Sequence, residues 1–353
     1  MGADDENQLE EQPYELATAA LLGRPATAAE AEEYLATYRA ADSRDDDAAR
    51  RLNCMPVPIK SALDTPFEVT PSMIAEYQAN GHIHISGVLP PEIVDVLGSA
   101  IRECVVPRVC SPYFVRSHAL CRNTMALNPQ KGRPLAERET YSKAFIQVGG
   151  MWRHGGLSEM FSFSRRLAGI AADLMQTEGT LLHHDQALFK EPGGGHTPWH
   201  CDQQYWPLDA DSEREAVSCW IPLQATSSEM GPMMFASGSH KQRNEHHNLK
   251  ISDESEERIW EYVKREGFPI ISKPYELGDA TFHSGWCLHR ADGNSTDRYR
   301  DAHTMQYVGS KMRWNDSFQG GRFGGGHAMD FMGGPGGSLR EAGVPEVFRR
   351  GRL

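Results

Sequence analysis

The sequence predicts a mainly β fold, a sandwich or barrel with flanking helices. Three observations carry that prediction. From about residue 180, short apolar runs recur between Gly and Pro turns, at 181–190, 216–223, 232–236, 275–282 and 300–308, the pattern of a layered or closed antiparallel sheet. Ahead of them, stretches of helical periodicity alternate with short strands at 82–85 and 144–148, an order that sets helices beside a sheet. The 353 residues, 39% hydrophobic and 24% charged, have an ordinary globular composition and suit one large domain with additions or two domains.

Taken in order, residues 12–55 read as helical, with Thr27 and Glu30 at capping-box spacing ahead of 31–41. Asp45-Asp46-Asp47 closes this acidic stretch, a solvated helical extension in its simplest reading and a dimer contact or lid in the sharper one. Thr70-Pro71-Ser72 opens a helix with proline in its first turn, and Asn80-Gly81 ends it. Pro90-Pro91-Glu92 starts another, whose apolar positions are Ile93, Val94, Leu97 and Ile101. Residues 106–140 carry four prolines and scattered polar groups and read as a loop suited to contact a substrate. One helix is expected over 158–175, with Phe161, Leu167, Ile170, Ala171 and Leu174 facing the core, and another over 253–266. Residues 319–336 are rich in glycine and irregular. The resulting division is an acidic helical extension over 1–66, a β domain over 67–312 and a Gly-rich C-terminal segment over 313–353.

Charge and cysteine usage narrow the function classes. The net charge is −12, yet residues 1–50 hold 13 acidic and 4 basic residues, which leaves only −3 for the rest. Nothing forms the basic footprint of a nucleic-acid-binding protein. The seven cysteines are odd in number and contain no C-x-x-C pair, so reduced thiols are expected rather than a disulfide framework. No apolar run approaches membrane-spanning length, and the acidic N-terminus lacks a signal-peptide pattern. A soluble cytoplasmic protein without a membrane or nucleic-acid partner is the expectation.

The chemistry centres on His200-Cys201-Asp202, which follows the turn Pro192-Gly193-Gly194-Gly195. In an extended segment residues two apart share a side, so an imidazole and a carboxylate would occupy adjacent positions on a metal. A second imidazole would complete a 2-His-1-carboxylate face with open positions for O₂ and an organic ligand, the arrangement of non-haem Fe(II) oxygenases. A rival H-x-D pattern, His183-His184-Asp185, lies inside an apolar strand rather than after a glycine turn. Candidates for the second histidine are His240, His246, His247, His283, His289 and His303. Around His289 a strand ends, a polar turn through Asn294 reverses the chain, and the next strand begins at Arg300. A histidine and an arginine on neighbouring antiparallel strands would face one pocket, where the guanidinium fork suits a carboxylate.

At these residues the sequence resembles the phytanoyl-CoA dioxygenase family of Fe(II)/2-oxoglutarate oxygenases, over roughly residues 70–310. That family carries H-x-D, a distant histidine and an arginine eleven residues later. Arg300 stands eleven residues after His289, whereas Asn294 stands at that distance from His283. Matching stretches include Asp185-Gln186-Ala187-Leu188-Phe189-Lys190, Val217-Ser218-Cys219-Trp220-Ile221 and Ser237-Gly238-Ser239-His240-Lys241. The resemblance implies a double-stranded β-helix, or jelly-roll, core of the cupin kind. It implies Fe(II) on His200, Asp202 and His289, with 2-oxoglutarate and O₂ as cosubstrates and Arg300 on the far carboxylate of 2-oxoglutarate. It places Trp220 in the 2-oxoglutarate pocket, on the strand face opposite Val217, Cys219 and Ile221. Gln147 and Gln186 either bond the cosubstrate or substrate, or serve the sheet. Ala291 replaces a family serine, which removes one expected hydrogen bond to 2-oxoglutarate. Asp202 is the acid that halogenases of this chemistry lack.

The implied activity is oxidation of an unactivated C–H bond of a small-molecule metabolite, as in specialised metabolism, by hydroxylation, desaturation, ring closure or epimerisation. Tyr205, Trp206 and Trp152 are candidate aromatic walls or framework. Two other readings fit parts of the pattern: a jelly-roll metal- or ligand-binding protein without turnover, and a hydroxylase of protein side chains.

Overall fold

Two antiparallel sheets face each other, and the alternation along their strands decides what lies between and behind them. The computed structural model describes residues 57–110, 125–126, 134–154, 156–209, 216–242, 251–315 and 336–351. The larger sheet runs β1 (His82–Ile85), β9 (Ala280–Ser284), β6 (Ala216–Pro222), β11 (Arg300–Gly309), β4 (Gly179–Lys190), β3 (Ile146–Gly149) and β2 (Met125–Ala126), with β12 (Glu346–Arg349) also paired to β4. The smaller sheet runs β5 (Thr197–His200), β10 (His289–Ala291), β7 (Met233–Ala236) and β8 (Ile270–Ser272). This is the expected mainly β, jelly-roll architecture.

On β6, Val217, Cys219 and Ile221 face outward into the main core, while Trp220 faces inward with Met233, Phe235, Tyr275 and Ala302. Helices cover the outward face: α1 (Val57–Asp64), α2 (Pro71–Asn80), α3 (Pro91–Cys110), α5 (Gly156–Ser162) and α6 (Arg165–Met175). The short α4 (Thr140–Ala144) precedes β3. On the smaller sheet, α7 (Asp253–Glu266) packs Ile259, Tyr262 and Val263 against Trp199 and Leu288. Among the described residues, no helix is long and apolar enough to cross a membrane.

Local chemistry sets several boundaries as the sequence suggests. Thr70 caps α2 by accepting the Met73 N–H, and Gly81 closes it at φ 76°. Ser252 caps α7, which has three acids in its first turn and Lys264 and Arg265 in its last, complementing the helix dipole.

Elsewhere the structure departs from expectation. The helix expected over 158–175 is two helices. Ser164 restarts the chain as α6 by accepting the Leu167 N–H at 3.3 Å while donating to the Leu63 carbonyl at 3.1 Å. The loop expected over 106–140 does not begin at 106, because α3 continues to Cys110 with Ile101 and Val105 buried in the core. The strand expected over 275–282 starts at Ala280. Gly278, at φ 102°, turns the chain there, and the Asp279 carboxylate accepts the Glu276 and Gly87 N–H groups at 3.1 and 3.0 Å. The C-terminal segment ends in β12, a strand added to the larger sheet. The helix expected over 12–55, His246, His247 and most of the Gly-rich stretch lie outside the described residues.

Gly231, ahead of β7, has φ 69°, and a Cβ there would stand 2.2 Å from the Asp292 carbonyl oxygen just past β10. Gly87 has φ 63° with open space around it. Gly231→Ala is therefore expected to cost well over ~1 kcal/mol and to lower the thermal midpoint more than Gly87→Ala. Calorimetry on the two variants checks the ranking.

Candidate active site

The two histidines of the site meet because their strands are neighbours in the smaller sheet. His289 on β10 is the direct cross-strand partner of His200 on β5, and their rings lie 4.2 Å apart. Each ring is held from behind: His200 Nδ1 bonds the Pro198 carbonyl at 2.7 Å and His289 Nδ1 bonds the Cys287 carbonyl at 3.0 Å. A carbonyl accepts only, so both Nδ1 atoms carry the proton and both Nε2 lone pairs face inward. Burial, reinforced for His200 by the neighbouring His289 ring, lowers each imidazole to about 4. Both rings are neutral ligand donors at neutral pH.

Asp202 reaches the same point by a route other than strand alternation. β5 ends at His200, and Asp202 lies in a turn at φ −70°, ψ −39°. The Gln203 N–H donates to the Gly285 carbonyl at 2.8 Å, which ties that turn to the loop after β9. Asp202 Oδ1 stands 3.6 Å from both His200 Nε2 and His289 Nε2. Its Oδ2 accepts from Ser218 Oγ at 2.7 Å and faces His283 Nε2 at 3.4 Å. Burial works to raise this carboxyl, but the surrounding histidines outweigh it and hold the carboxyl below the usual range. The three ligand atoms all fall within 4.8 Å of one another, a donor set of two imidazoles and one carboxylate that fits Fe(II).

Arg300 opens β11, in the other sheet. The expectation that His289 and Arg300 sit on adjacent strands is thus corrected: β10 pairs with β5 and β7, and β11 with β4 and β6. The two residues face each other across the sandwich and line one cavity of about 740 Å³, part of it open to solvent. Arg300 is only 2% exposed. Its Nε and Nη1 have no hydrogen-bond partner among the described residues. Burial lowers its pKa to about 10, so it stays charged at neutral pH. The adjacent Lys190 is also buried, but its Nζ donates to the Gly195 carbonyl at 2.6 Å. A buried guanidinium with open donors calls for an anion.

The remaining candidates sort clearly. Trp220 lines the cavity with its ring 5.3 Å from the Arg300 guanidinium. Gln147 and Gln186 line it too, joined by a hydrogen bond of 2.5 Å and continued to the Tyr141 hydroxyl at 3.1 Å. Ala291, Tyr205 and Trp206 are lining residues, whereas Trp152 packs edge-on to Phe163 beside the main core. Asn294 anchors the turn, its amide donating to the Arg298 carbonyl at 2.6 Å. The rival Asp185 points behind the sheet, bonded to Ser162 at 2.5 Å and the Trp152 N–H at 2.8 Å, with His303 on the same serine. His240 packs beneath Gly81. Sequence reasoning missed Ser218, Thr304 and Gln306 as lining residues and weighed His283 only as a metal ligand. The signal for Ser218, Thr304 and Gln306 is the two-residue period shared with Trp220 and Arg300 on β6 and β11, whereas His283 lies on β9.

Residues 77–302 match the phytanoyl-CoA dioxygenase (PhyH) family. The chain belongs to that family. Its members are non-haem iron dioxygenases that consume 2-oxoglutarate and O₂, and this PhyH chain is an enzyme of that type. No curated protein matches it. Among solved structures, the fold resembles SnoK, a non-haem α-ketoglutarate-dependent carbocyclase from nogalamycin biosynthesis, at 20% identity and TM-score 0.53, covering 75% of this chain and 96% of that one. The epimerase SnoN from the same biosynthesis gives 20% and 0.52, over 73% and 94%. EctD from S. alaskensis in its apo form gives 18% and 0.56, over 79% and 90%.

The buried histidines of this PhyH enzyme make its stability depend on pH. His200, His289 and His82 are lowered to about 4 and His303 to about 3, by burial first in each case. The unfolded chain takes up protons near 6.5 that the folded state refuses, so this stability is present above about 6.5 and lost as pH falls toward 4. Asp185, raised to about 6 by burial, opposes the trend. The metal-free protein is expected to melt at a lower temperature at pH 5 than at pH 7, and a rise would contradict the buried neutral rings.

Proposed function

We propose that the enzyme oxidises an unactivated C–H bond of a free small-molecule metabolite, with His200, Asp202 and His289 holding Fe(II) and Arg300 gripping 2-oxoglutarate. The observation that carries this reading is the buried Arg300 guanidinium, with Nε and Nη1 unpartnered among the described residues, on the cavity that also holds the His–Asp–His cluster. Leaving such a charge uncompensated is costly, and a dicarboxylate reaching from the metal to Arg300 removes that cost. When bound, Fe(II) with 2-oxoglutarate and O₂ supplies the oxidant that takes a hydrogen atom from the substrate, as 2-oxoglutarate becomes succinate and CO₂.

The chain's own residues orient and shield. The Pro198 and Cys287 carbonyls fix the two imidazoles. Trp220, Leu188, Met233 and Phe145 line the cavity with apolar surface and keep water from the reacting groups. The substrate end is assigned to Tyr205, Trp206, His184 and Gln306. Gln306 Nε2 donates to Thr304 at 3.0 Å, and its Oε1 has no partner among the described residues, which suits a hydroxyl or amine on the substrate. The carbocyclase and epimerase neighbours of the fold support ring closure and epimerisation as outcomes beside hydroxylation and desaturation. One oxygenase domain over 67–312 with terminal extensions, and a reducing compartment suited to the buried free thiols of Cys201, Cys219 and Cys287, complete the proposal.

The test is succinate-coupled consumption of 2-oxoglutarate, screened across metabolite pools by mass spectrometry. His289→Ala is expected to abolish Fe(II) binding, and unchanged binding would refute the metal assignment. Arg300→Met is expected to raise the KM for 2-oxoglutarate about 10- to 100-fold, since hydrogen bonds to charged groups are worth ~1.5–3 kcal/mol. Wild-type protein that binds Fe(II) but releases no succinate from any pool would favour a binding protein without turnover.

A further inference from the structure

The two oxygens of Asp202 keep different company. Oδ1 faces His200 Nε2 and His289 Nε2 at 3.6 Å each, whereas Oδ2 meets Ser218 Oγ at 2.7 Å and His283 Nε2 at 3.4 Å. Ser218 and His283 are direct cross-strand partners on β6 and β9, 1% and 2% exposed, so they offer their side chains from one level of the larger sheet. The turn that carries Asp202 comes over them from the smaller sheet. The His283 ring lies 5.3 Å from Phe235 and 4.6 Å from His289, packed between the two. The 3.4 Å contact is long for a settled hydrogen bond. Neither ring nitrogen has a hydrogen-bond partner among the described residues, so Oδ2 is the acceptor within reach of its N–H.

We propose that Ser218 and His283 are positioning residues that make Asp202 a one-oxygen metal ligand. The inference rests on the iron-site reading above. A carboxylate left to rotate about Cβ–Cγ can offer both oxygens to one cation and so take a second coordination position. Ser218 Oγ donates to Oδ2 and His283 Nε2 faces it at 3.4 Å, which draws Oδ2 toward the larger sheet and leaves Oδ1 as the oxygen turned toward the imidazoles. The position thereby spared is one that 2-oxoglutarate or O₂ needs. Partners behind a ligand act on the metal in this way, and their loss costs about 10- to 100-fold in affinity or activity.

Co(II) is the probe, because its visible spectrum reports ligand number and it does not turn over. The full chain is titrated with Co(II), and the loaded protein then with 2-oxoglutarate. Ser218→Ala/His283→Phe keeps the ring volume and removes both donors. It is expected to bind Co(II) about 10- to 100-fold more weakly, with altered d–d bands and weaker uptake of 2-oxoglutarate. Ser218→Thr and His283→Gln each keep a donor and are expected to retain the wild-type spectrum. A lower melting temperature with wild-type spectrum and affinity would mean packing alone, and would overturn the inference. Should the double variant fail to fold, Ser218→Ala decides: a shifted spectrum supports the inference and an unchanged one overturns it. Wild-type protein that takes up no Co(II) would instead remove the iron-site reading, and this inference with it.

Discussion

The structure depends on one register. His289 and His200 are opposite each other across β10 and β5, and a slip of one residue would turn one imidazole out of the sandwich. The register is over-determined from several sides. β10 is only three residues long, yet it is paired on both edges. The Ala236 N–H reaches the Leu288 carbonyl at 2.9 Å, and Ser239 Oγ accepts the Leu288 N–H at 2.9 Å. Gly231 lies against the Asp292 carbonyl where no side chain fits. So short a strand holds its place through its neighbours rather than through its own propensity.

That dependence explains what could be read from the sequence. The long strands β4, β6 and β11 are legible as runs set between Gly and Pro turns, and Trp220 falls on the inner face of β6 by the two-residue count from Val217, Cys219 and Ile221. The spacing from His289 to Arg300 is legible as a motif. The geometry behind the spacing is not. It resembles a hairpin, but the intervening turn carries the chain from one sheet to the other, and a motif distance does not distinguish the two. Likewise His200-Cys201-Asp202 reads as extended, while the Gln203 N–H bond to Gly285, between segments far apart in sequence, bends it after the histidine. β5, β8 and β10 hold four, three and three residues, too few for any period to register.

His283 shows the same limit from another direction. Counting from Arg300 sets it aside as a ligand, yet it stands 3.4 Å from Asp202. A sequence motif names the groups that touch the metal. It is blind to groups that touch the ligands, because these are recruited by cross-strand pairing, here Ser218 with His283. The buried Asp185–Ser162–His303 network illustrates the converse. Its residue types suggest chemistry, but its strand face puts it behind the sheet, where it ties the segment at Met151–His154 to β4.

The inner cavity is electrostatically unfinished in a particular way. Its walls hold a carboxylate among imidazoles at one place and a guanidinium with open donors at another. The two charges do not pair with each other. A divalent cation alone would satisfy the first and leave the second. A dicarboxylate alone would satisfy the second and crowd the first with like charge. Only the two together, one bridging to the other, compensate both ends, so each is expected to raise the affinity for its companion, and that coupling is reciprocal by thermodynamic necessity. Because both bind the folded chain, they also stabilise it. The same buried charges that would weaken an empty jelly roll would, on this reading, make this one selective for a metal and a diacid at once.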